Sequence, residues 1–182
     1  MHVLVLVGSL RTDSLNRRLA DAALDHLPEG VAATVFDGLA DLPHYSQDLD
    51  VEPLPRVAAE LRAAIGAADA LLFVTPEYNG SLPSALKNAI DWASRPRGAS
   101  AIAGTPAAVL AASGSPRAAQ WAREDAVRVL TVAGADVIED TVGVGSAFDA
   151  FVDGRLSDEA LDTALRGLVT RLTHEMEAAR AA

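Results

Sequence analysis

Two short loops carry the residue types that could bind a phosphorylated, aromatic ligand. The first is GSLRTDSLN, residues 8–16. Its glycine permits a sharp turn, and the guanidinium of Arg11 suits phosphate oxygens. Beside Arg11, the residues Ser9, Ser14 and Asn16 offer short polar side chains. If a helix begins at its end, the helix N-terminus also favours an anion. The first loop therefore predicts a site for one phosphate monoester.

The second loop is TPEYNGSLP, residues 75–83, where an apolar run gives way to a helical pattern. Pro76 stiffens the start of the loop, and Gly80 allows a tight turn. Between them lie Glu77, Tyr78 and Asn79. Their backbone amides could face a planar ligand, with the Tyr78 ring as one wall. Because no His or Cys adjoins Glu77, we interpret this residue as a solvated loop acid, with a catalytic carboxylate as the alternative.

Two common nucleotide-binding motifs are absent from the first loop. It lacks the second and third glycines of G-x-G-x-x-G, and it lacks the G-K-[ST] of a P-loop. Asp37 is the last residue of a predicted strand and could imitate a ribose-binding acid. Without the glycine pattern, we interpret Asp37 as a helix- or turn-associated acid. A purely structural alternative for the first loop is a strand-to-helix turn with Ser14 as the helix N-cap.

The elements around these loops alternate along the chain. The predicted strands are HVLVLVG, VAATVFD, ADALLFVT, TPAAVLAAS and ADVIEDTVG. A helical periodicity follows each of them, which predicts a doubly wound α/β fold: a five-stranded parallel sheet with helices on both faces. In the strand order 2-1-3-4-5, the first and third strands are neighbours. The two loops would then flank the point where the strand order reverses, which is where such sheets bind ligands.

Composition narrows the classes of function. The 182 residues fit one domain, 1–182, and half of them are hydrophobic. The absence of cysteine excludes disulfides, thiolate zinc sites and thiol nucleophiles, and the histidines lack metal-ligand spacing. The net charge of −10 and the lack of a basic cluster argue against nucleic acid. With no basic leader and no apolar run of about 20 residues, we expect no membrane span and a cytoplasmic location.

Taken together with LPHYSQD, residues 42–48, the two loops resemble the NADPH-dependent FMN reductases of the flavodoxin-like fold. That group includes quinone, chromate and azo-dye reductases, and the resemblance extends over essentially the whole chain. It implies a homodimer or homotetramer. It also implies that the phosphate of FMN contacts Ser9, Arg11, Ser14 and Asn16. The isoalloxazine would contact Pro76, Glu77, Tyr78 and Asn79. The loop after the fourth strand would add Ser113, Gly114 and Ser115.

The resemblance implies chemistry that needs no catalytic side chain. NADPH, or NADH in its place, would give a hydride to the flavin, which would reduce a quinone, free flavin or other small electron acceptor. One segment departs from the family pattern, because SGSPRAAQW stands where many relatives have a Gly-Gly pair. Here Arg117 could contact NADPH phosphates or a neighbouring subunit, or be a solvated residue at a helix start.

Three other functions stay open at this point. A non-enzymatic FMN electron carrier would suit the acidic charge. A nucleoside transferase would use Glu77 as its nucleophile but would leave the first loop unexplained. A flavin-binding regulatory protein would bind the cofactor without turnover.

Overall fold

A parallel sheet of short apolar strands forms the centre of the computed structural model, which describes residues 1–181. Its strands are β1 His2–Val7, β2 Ala32–Val35, β3 Ala70–Val74, β4 Pro106–Ala112, β5 Asp136–Val137 and β6 Val142–Val144. The helices are α1 Leu15–Leu24, α2 Arg56–Gly66, α3 Ser84–Ala93, α4 Gln120–Ala133 and α5 Glu159–Ala181. Two 3-10 helices span Asp37–Ala40 and Ala147–Asp149.

The strand order is β2-β1-β3-β4-β5, as the sequence predicts, and every pairing within this sheet is parallel. Helices α1 and α5 pack on one face, and α2, α3 and α4 pack on the other. Every residue of β3 and β4 is buried, which explains their continuous apolar runs. The predicted flavodoxin-like fold is therefore confirmed, and the order reverses between β1 and β3.

The last predicted strand differs from the structure. ADVIEDTVG forms two short strands, because β5 pairs with the start of β4 and β6 pairs with its end. Between them the chain leaves the sheet at Glu139 and Asp140, which are both exposed. Asp140 forms an ion pair with Arg171 of α5. Two consecutive carboxylates in solvent interrupt what would otherwise be one continuous edge strand.

The segment GVGSAFDAFVDGR, predicted as a loop, contains a small hairpin of two antiparallel strands. These are β7 Phe151–Val152 and β8 Arg155–Leu156. Their two-residue turn is Asp153 and Gly154, with φ of 48° and 81°. Asp-Gly is a preferred pair for such a turn, so this signal was present in the sequence. The hairpin lies immediately before α5.

Ser14 caps α1, in agreement with the sequence. Its hydroxyl accepts a hydrogen bond from the N–H of Arg17 at 3.2 Å. Helix α1 then buries Leu19, Ala20 and Ala23 against the sheet. The cap fixes where the helix begins, directly after the first loop. Within residues 1–181, no helix combines the length and apolar character needed to cross a bilayer.

Candidate functional site

The carboxyl ends of β1, β3 and β4 surround a cavity of about 170 Å³. Its lining residues are Ser9, Arg11, Ser14, Leu15, Asn16, Pro76, Glu77, Tyr78, Ala112, Ser113, Gly114 and Phe148. Most of the predicted site residues are thus brought together, although they come from three separate loops. Asn79 and Ser115 do not line the cavity. Phe148 lines it and was not predicted.

Asn16 links the first loop to the end of β4. Its side chain is buried, and its amide donates to the carbonyl of Ala112 at 3.0 Å and accepts from the N–H of Ala112 at 2.8 Å. These bonds occupy the side-chain oxygen and one amide hydrogen. The contribution of Asn16 that the structure shows is therefore positional. The N–H of Arg17 is capped by Ser14, whereas those of Leu15 and Asn16 lack intrahelical partners, as at any helix start, and remain suited to an anion.

Arg11 is the exposed cation at this cavity. No carboxylate of residues 1–181 forms an ion pair with it, whereas Arg17 contacts Asp21 at 3.3 Å and Asp37 at 3.4 Å. Asp37 lies in a 3-10 helix, in agreement with its interpretation as a helix- or turn-associated acid. A second cavity of about 320 Å³, on the β2 side, also contacts Ser9 and Arg11. Arg11 therefore lines both cavities, and no carboxylate among residues 1–181 neutralises its charge.

The loop after β3 closes on itself in a two-residue turn. The backbones of Tyr78 and Ser81 hydrogen-bond to each other at 3.1 and 3.2 Å. The residues between them, Asn79 and Gly80, have φ of 51° and 77°. Asn and Gly are the pair that best tolerates two successive left-handed conformations. The turn geometry thus accounts for Asn79, which lies at its apex and outside the cavity.

Two side-chain hydrogen bonds attach this loop to α4. The carboxylate of Glu77 accepts a hydrogen bond from the N–H of Ala122 at 3.2 Å, and the hydroxyl of Ser81 donates to Asp125 at 2.5 Å. The hydrogen bond from Ser81 is the main cause that holds the pKa of Asp125 below its usual range. The interpretation of Glu77 as a solvated loop acid was wrong. A half-buried carboxylate at a helix start satisfies an N–H that has no intrahelical partner.

The loop after β4 packs tightly against β6 and the loop that follows it. The N–H of Ser113 donates to Val144, and the N–H of Ala147 donates to Ser113. A Cβ on Gly143 would lie 2.7 Å from the carbonyl oxygen of Ala118, and one on Gly145 would lie 2.7 Å from that of Pro116. Both glycines are therefore needed for the close approach of the two backbones. This contact fixes the position of the loop after β4.

Two exposed aromatic side chains border the site in addition to Tyr78. Phe148 covers Gly114 so closely that a Cβ there would lie 2.4 Å from its ring. Trp121, at the start of α4, lies 3.2 Å from the position that a Cβ of Gly80 would occupy. Sequence reasoning missed Phe148 because it lies 34 residues beyond the loop that it covers. Its only sequence signal is an aromatic residue in the last loop at this edge of the sheet.

A family model described as NADPH-dependent FMN reductase matches residues 1–149. The chain belongs to this family. The cofactors implied by the sequence, FMN and NAD(P)H, are those that the family description and the names of its relatives give. The family assignment, predicted from the two loops, is confirmed.

Curated relatives and a solved structure agree with this assignment. A 2-hydroxy-1,4-benzoquinone reductase of a Burkholderia species is 47% identical over 113 residues, which cover 62% of this chain and 61% of that protein. An NAD(P)H-dependent FMN reductase of Pseudomonas aeruginosa is 41% identical over 164 residues, 87% of this chain and 86% of that protein. The chain thus spans about three fifths of the first relative and most of the second.

The solved structure is that of FerB, a flavoenzyme NAD(P)H:(acceptor) oxidoreductase from Paracoccus denitrificans. It superposes with a TM-score of 0.83 at 33% identity and covers 97% of each chain. The similarity therefore includes α5 and the hairpin before it, which lie beyond the residues matched by the family model.

Proposed function

We propose that this protein is an FMN-dependent NAD(P)H oxidoreductase that passes electrons to a quinone or another small oxidant. The proposal rests on one observation. Arg11, whose charge is uncompensated, and Tyr78, which is exposed, line the same cavity at the point where the strand order reverses. The lining of the cavity includes donors suited to a phosphate and an aromatic side chain suited to a planar ring. The residues present therefore fit FMN.

Different residues would bind the phosphate and the ring of the cofactor. Arg11 and Ser9, with the N-terminus of α1, would bind the phosphate group. Pro76 and Tyr78 would border the flavin ring, and Phe148 would close the opposite side. Bound FMN would supply the hydride and electron transfer itself. The chain contributes orientation, since Asn16 and Glu77 fix the loops on which these contacts depend.

The names of the relatives support a quinone as the small-molecule acceptor, and the family description supports NADPH as the donor. A homodimer or homotetramer in the cytoplasm remains a prediction from the resemblance. A nucleoside transferase is disfavoured because the carboxylate of Glu77 is engaged with the N–H of Ala122. The negative charge of the chain also suits an electron carrier, and turnover distinguishes the two functions.

The test follows the visible absorption of the flavin. The purified chain is reconstituted with FMN, freed of excess cofactor and mixed with NADPH without oxygen. Loss of the flavin absorption within seconds, followed by its return when a quinone is added, is the expected result. Bound flavin that NADPH does not reduce would indicate a carrier. A chain that does not retain FMN would contradict the proposal.

A further inference from the structure

We propose that Arg117 and Trp121 form an acceptor subsite that selects planar oxidants carrying a negative charge. The inference rests on the proposed function and adds the charge of the acceptor to it. The guanidinium carbon of Arg117 lies 4.9 Å from the centroid of the Trp121 ring. Trp121 is half exposed and Arg117 is exposed. The guanidinium therefore lies over the ring in a cation–π contact, and both groups are accessible to solvent.

The pair lies beside the candidate flavin site. The Trp121 ring contacts the Asn-Gly turn through Gly80, two residues after Tyr78. The next residue of α4, Ala122, binds the carboxylate of Glu77. Arg117 follows the loop whose Ser113 and Gly114 line the cavity. A small molecule that approaches the loop after β3 from the side of α4 would contact Arg117 and Trp121.

The position of Arg117 is fixed by its backbone. Its N–H donates to the hydroxyl of Ser115 at 3.3 Å, and its carbonyl accepts from the N–H of Gln120 at 3.1 Å. The two alanines that follow, Ala118 and Ala119, both have a φ of 52°. A left-handed conformation is unfavourable for residues other than glycine and persists only where the surroundings enforce it. The turn thus holds the cation next to the ring.

Charge is the reason to expect an anionic acceptor. The chain carries a net charge of −10, which would repel an anion from most of its surface. Arg128 and Arg166 are also exposed, but Asp125 neutralises the first and Asp162 neutralises the second. Among residues 1–181, no carboxylate pairs with Arg117. Its guanidinium can therefore bind an oxyanion or sulfonate while the acceptor ring packs against the part of the half-exposed Trp121 ring that the guanidinium leaves uncovered.

The electron balance of the reaction is unchanged by this subsite. Reduction of a quinone to a quinol takes two electrons and two protons. NAD(P)H supplies both electrons and one proton as a hydride, and water supplies the second proton. The subsite affects only which quinones are bound.

Two quinones that share a ring system test the inference. They are 1,4-naphthoquinone, which is neutral, and 1,4-naphthoquinone-2-sulfonate, which is anionic. In the FMN-loaded enzyme, Arg117→Ala should raise KM for the sulfonate about tenfold or more, as expected for loss of a charge-assisted hydrogen bond. The change for the neutral quinone should be much smaller. Arg117→Lys should recover part of the loss, and Trp121→Leu should raise both KM values.

Salt and a control variant complete the design. Raising the ionic strength should raise the KM of the wild type for the sulfonate and should have little effect in Arg117→Ala. Arg97→Ala removes the same charge from the loop between α3 and β4, at the opposite end of the sheet, and should behave as the wild type. Calorimetric titration of the oxidised enzyme with the sulfonate measures the subsite without turnover.

The outcomes separate this inference from the proposed function. Equal effects of Arg117→Ala on both quinones, or no effect on either, would overturn the subsite. An effect confined to the NADPH concentration needed for flavin reduction would assign Arg117 to the donor and also overturn it. Failure of the wild type to bind FMN, or to be reduced by NADPH, would refute the proposed function instead, and the calorimetric titration would still decide whether the pair binds the anion.

Discussion

Asn16 and Ala112 hydrogen-bond to each other twice across 96 residues of sequence, and this double contact joins the two sides of the candidate site. Asn16→Leu should remove both bonds and leave a buried N–H and a buried carbonyl of Ala112 without partners. A loss of about 2 kcal/mol or more in the free energy of unfolding is expected, measured by urea denaturation. Gln120→Leu, which changes an exposed amide, should have a much smaller effect. Equal stability of Asn16→Leu and the wild type would contradict this assignment.

Arg11 should dominate the affinity for FMN. Arg11→Ala removes the uncompensated cation at the cavity, so the dissociation constant for FMN should rise by about tenfold to a hundredfold. Arg17→Ala is the matched control, because Arg17 lies six residues away but is already paired with Asp21 and Asp37. Equilibrium dialysis with FMN measures the dissociation constants of both variants. A larger loss for Arg17→Ala than for Arg11→Ala would mean that the phosphate lies elsewhere.

Glu77 should prove to be a positioning residue. Glu77→Gln keeps an oxygen that can accept from the N–H of Ala122, so quinone reduction should stay within about threefold of the wild type. Glu77→Ala should weaken FMN binding because the loop loses one of its two side-chain hydrogen bonds to α4. A nucleophilic carboxylate would behave differently, since its replacement by an amide removes the reacting group. Loss of nearly all activity in Glu77→Gln would therefore restore a catalytic role.

The pH dependence of stability should reveal the pair of Asp50 and Arg62. Their charged groups are 2.7 Å apart and mostly buried. The hydrogen bond from Arg62 is the main cause that lowers the pKa of Asp50 below its usual value. A lowered pKa in the folded state means that the pair stabilises the protein above a pH of about 4, the pKa of an unfolded Asp, and that this stability is lost as the pH falls further.

Asp50→Asn is the variant that checks this expectation. The difference in unfolding free energy between wild type and variant should be largest near neutral pH and should shrink as the pH falls through the pKa of Asp50. Urea denaturation at several pH values measures it. Lys87 and Asp91 form an exposed pair, and Asp91→Asn should show little change across the same range. A difference that is independent of pH would contradict the role of the Asp50 charge.

The sequence predicts the architecture well because the sheet depends on local patterns. Continuous apolar runs identify β3 and β4 as buried strands, and the order of loops places the site at the reversal of strand order. The last predicted strand is interrupted at two exposed carboxylates, Glu139 and Asp140. The apolar residues on either side of them predict one continuous strand. The Asp-Gly pair of the hairpin was readable from its turn chemistry.

The sequence predicts less about the roles of individual site residues. The partner of Asn16 is the backbone of Ala112, and that of Glu77 is the backbone of Ala122. Backbone groups leave no trace in residue types, so no pattern of side chains could indicate these contacts. Phe148 reaches Gly114 only because the loop after β6 folds back over the end of β4. Such contacts are decided by tertiary packing.

The two tryptophans of the chain occupy contrasting environments. Trp92 is fully buried, and its indole N–H donates to the carbonyl of Pro43 at 2.8 Å. Trp121 is half exposed at the rim of the candidate site. The protein thus carries two intrinsic fluorophores with separate uses. Emission from Trp92 should report unfolding of the core. In Trp92→Phe the remaining emission comes from Trp121, and it should report ligands that bind next to the Asn-Gly turn without an attached dye.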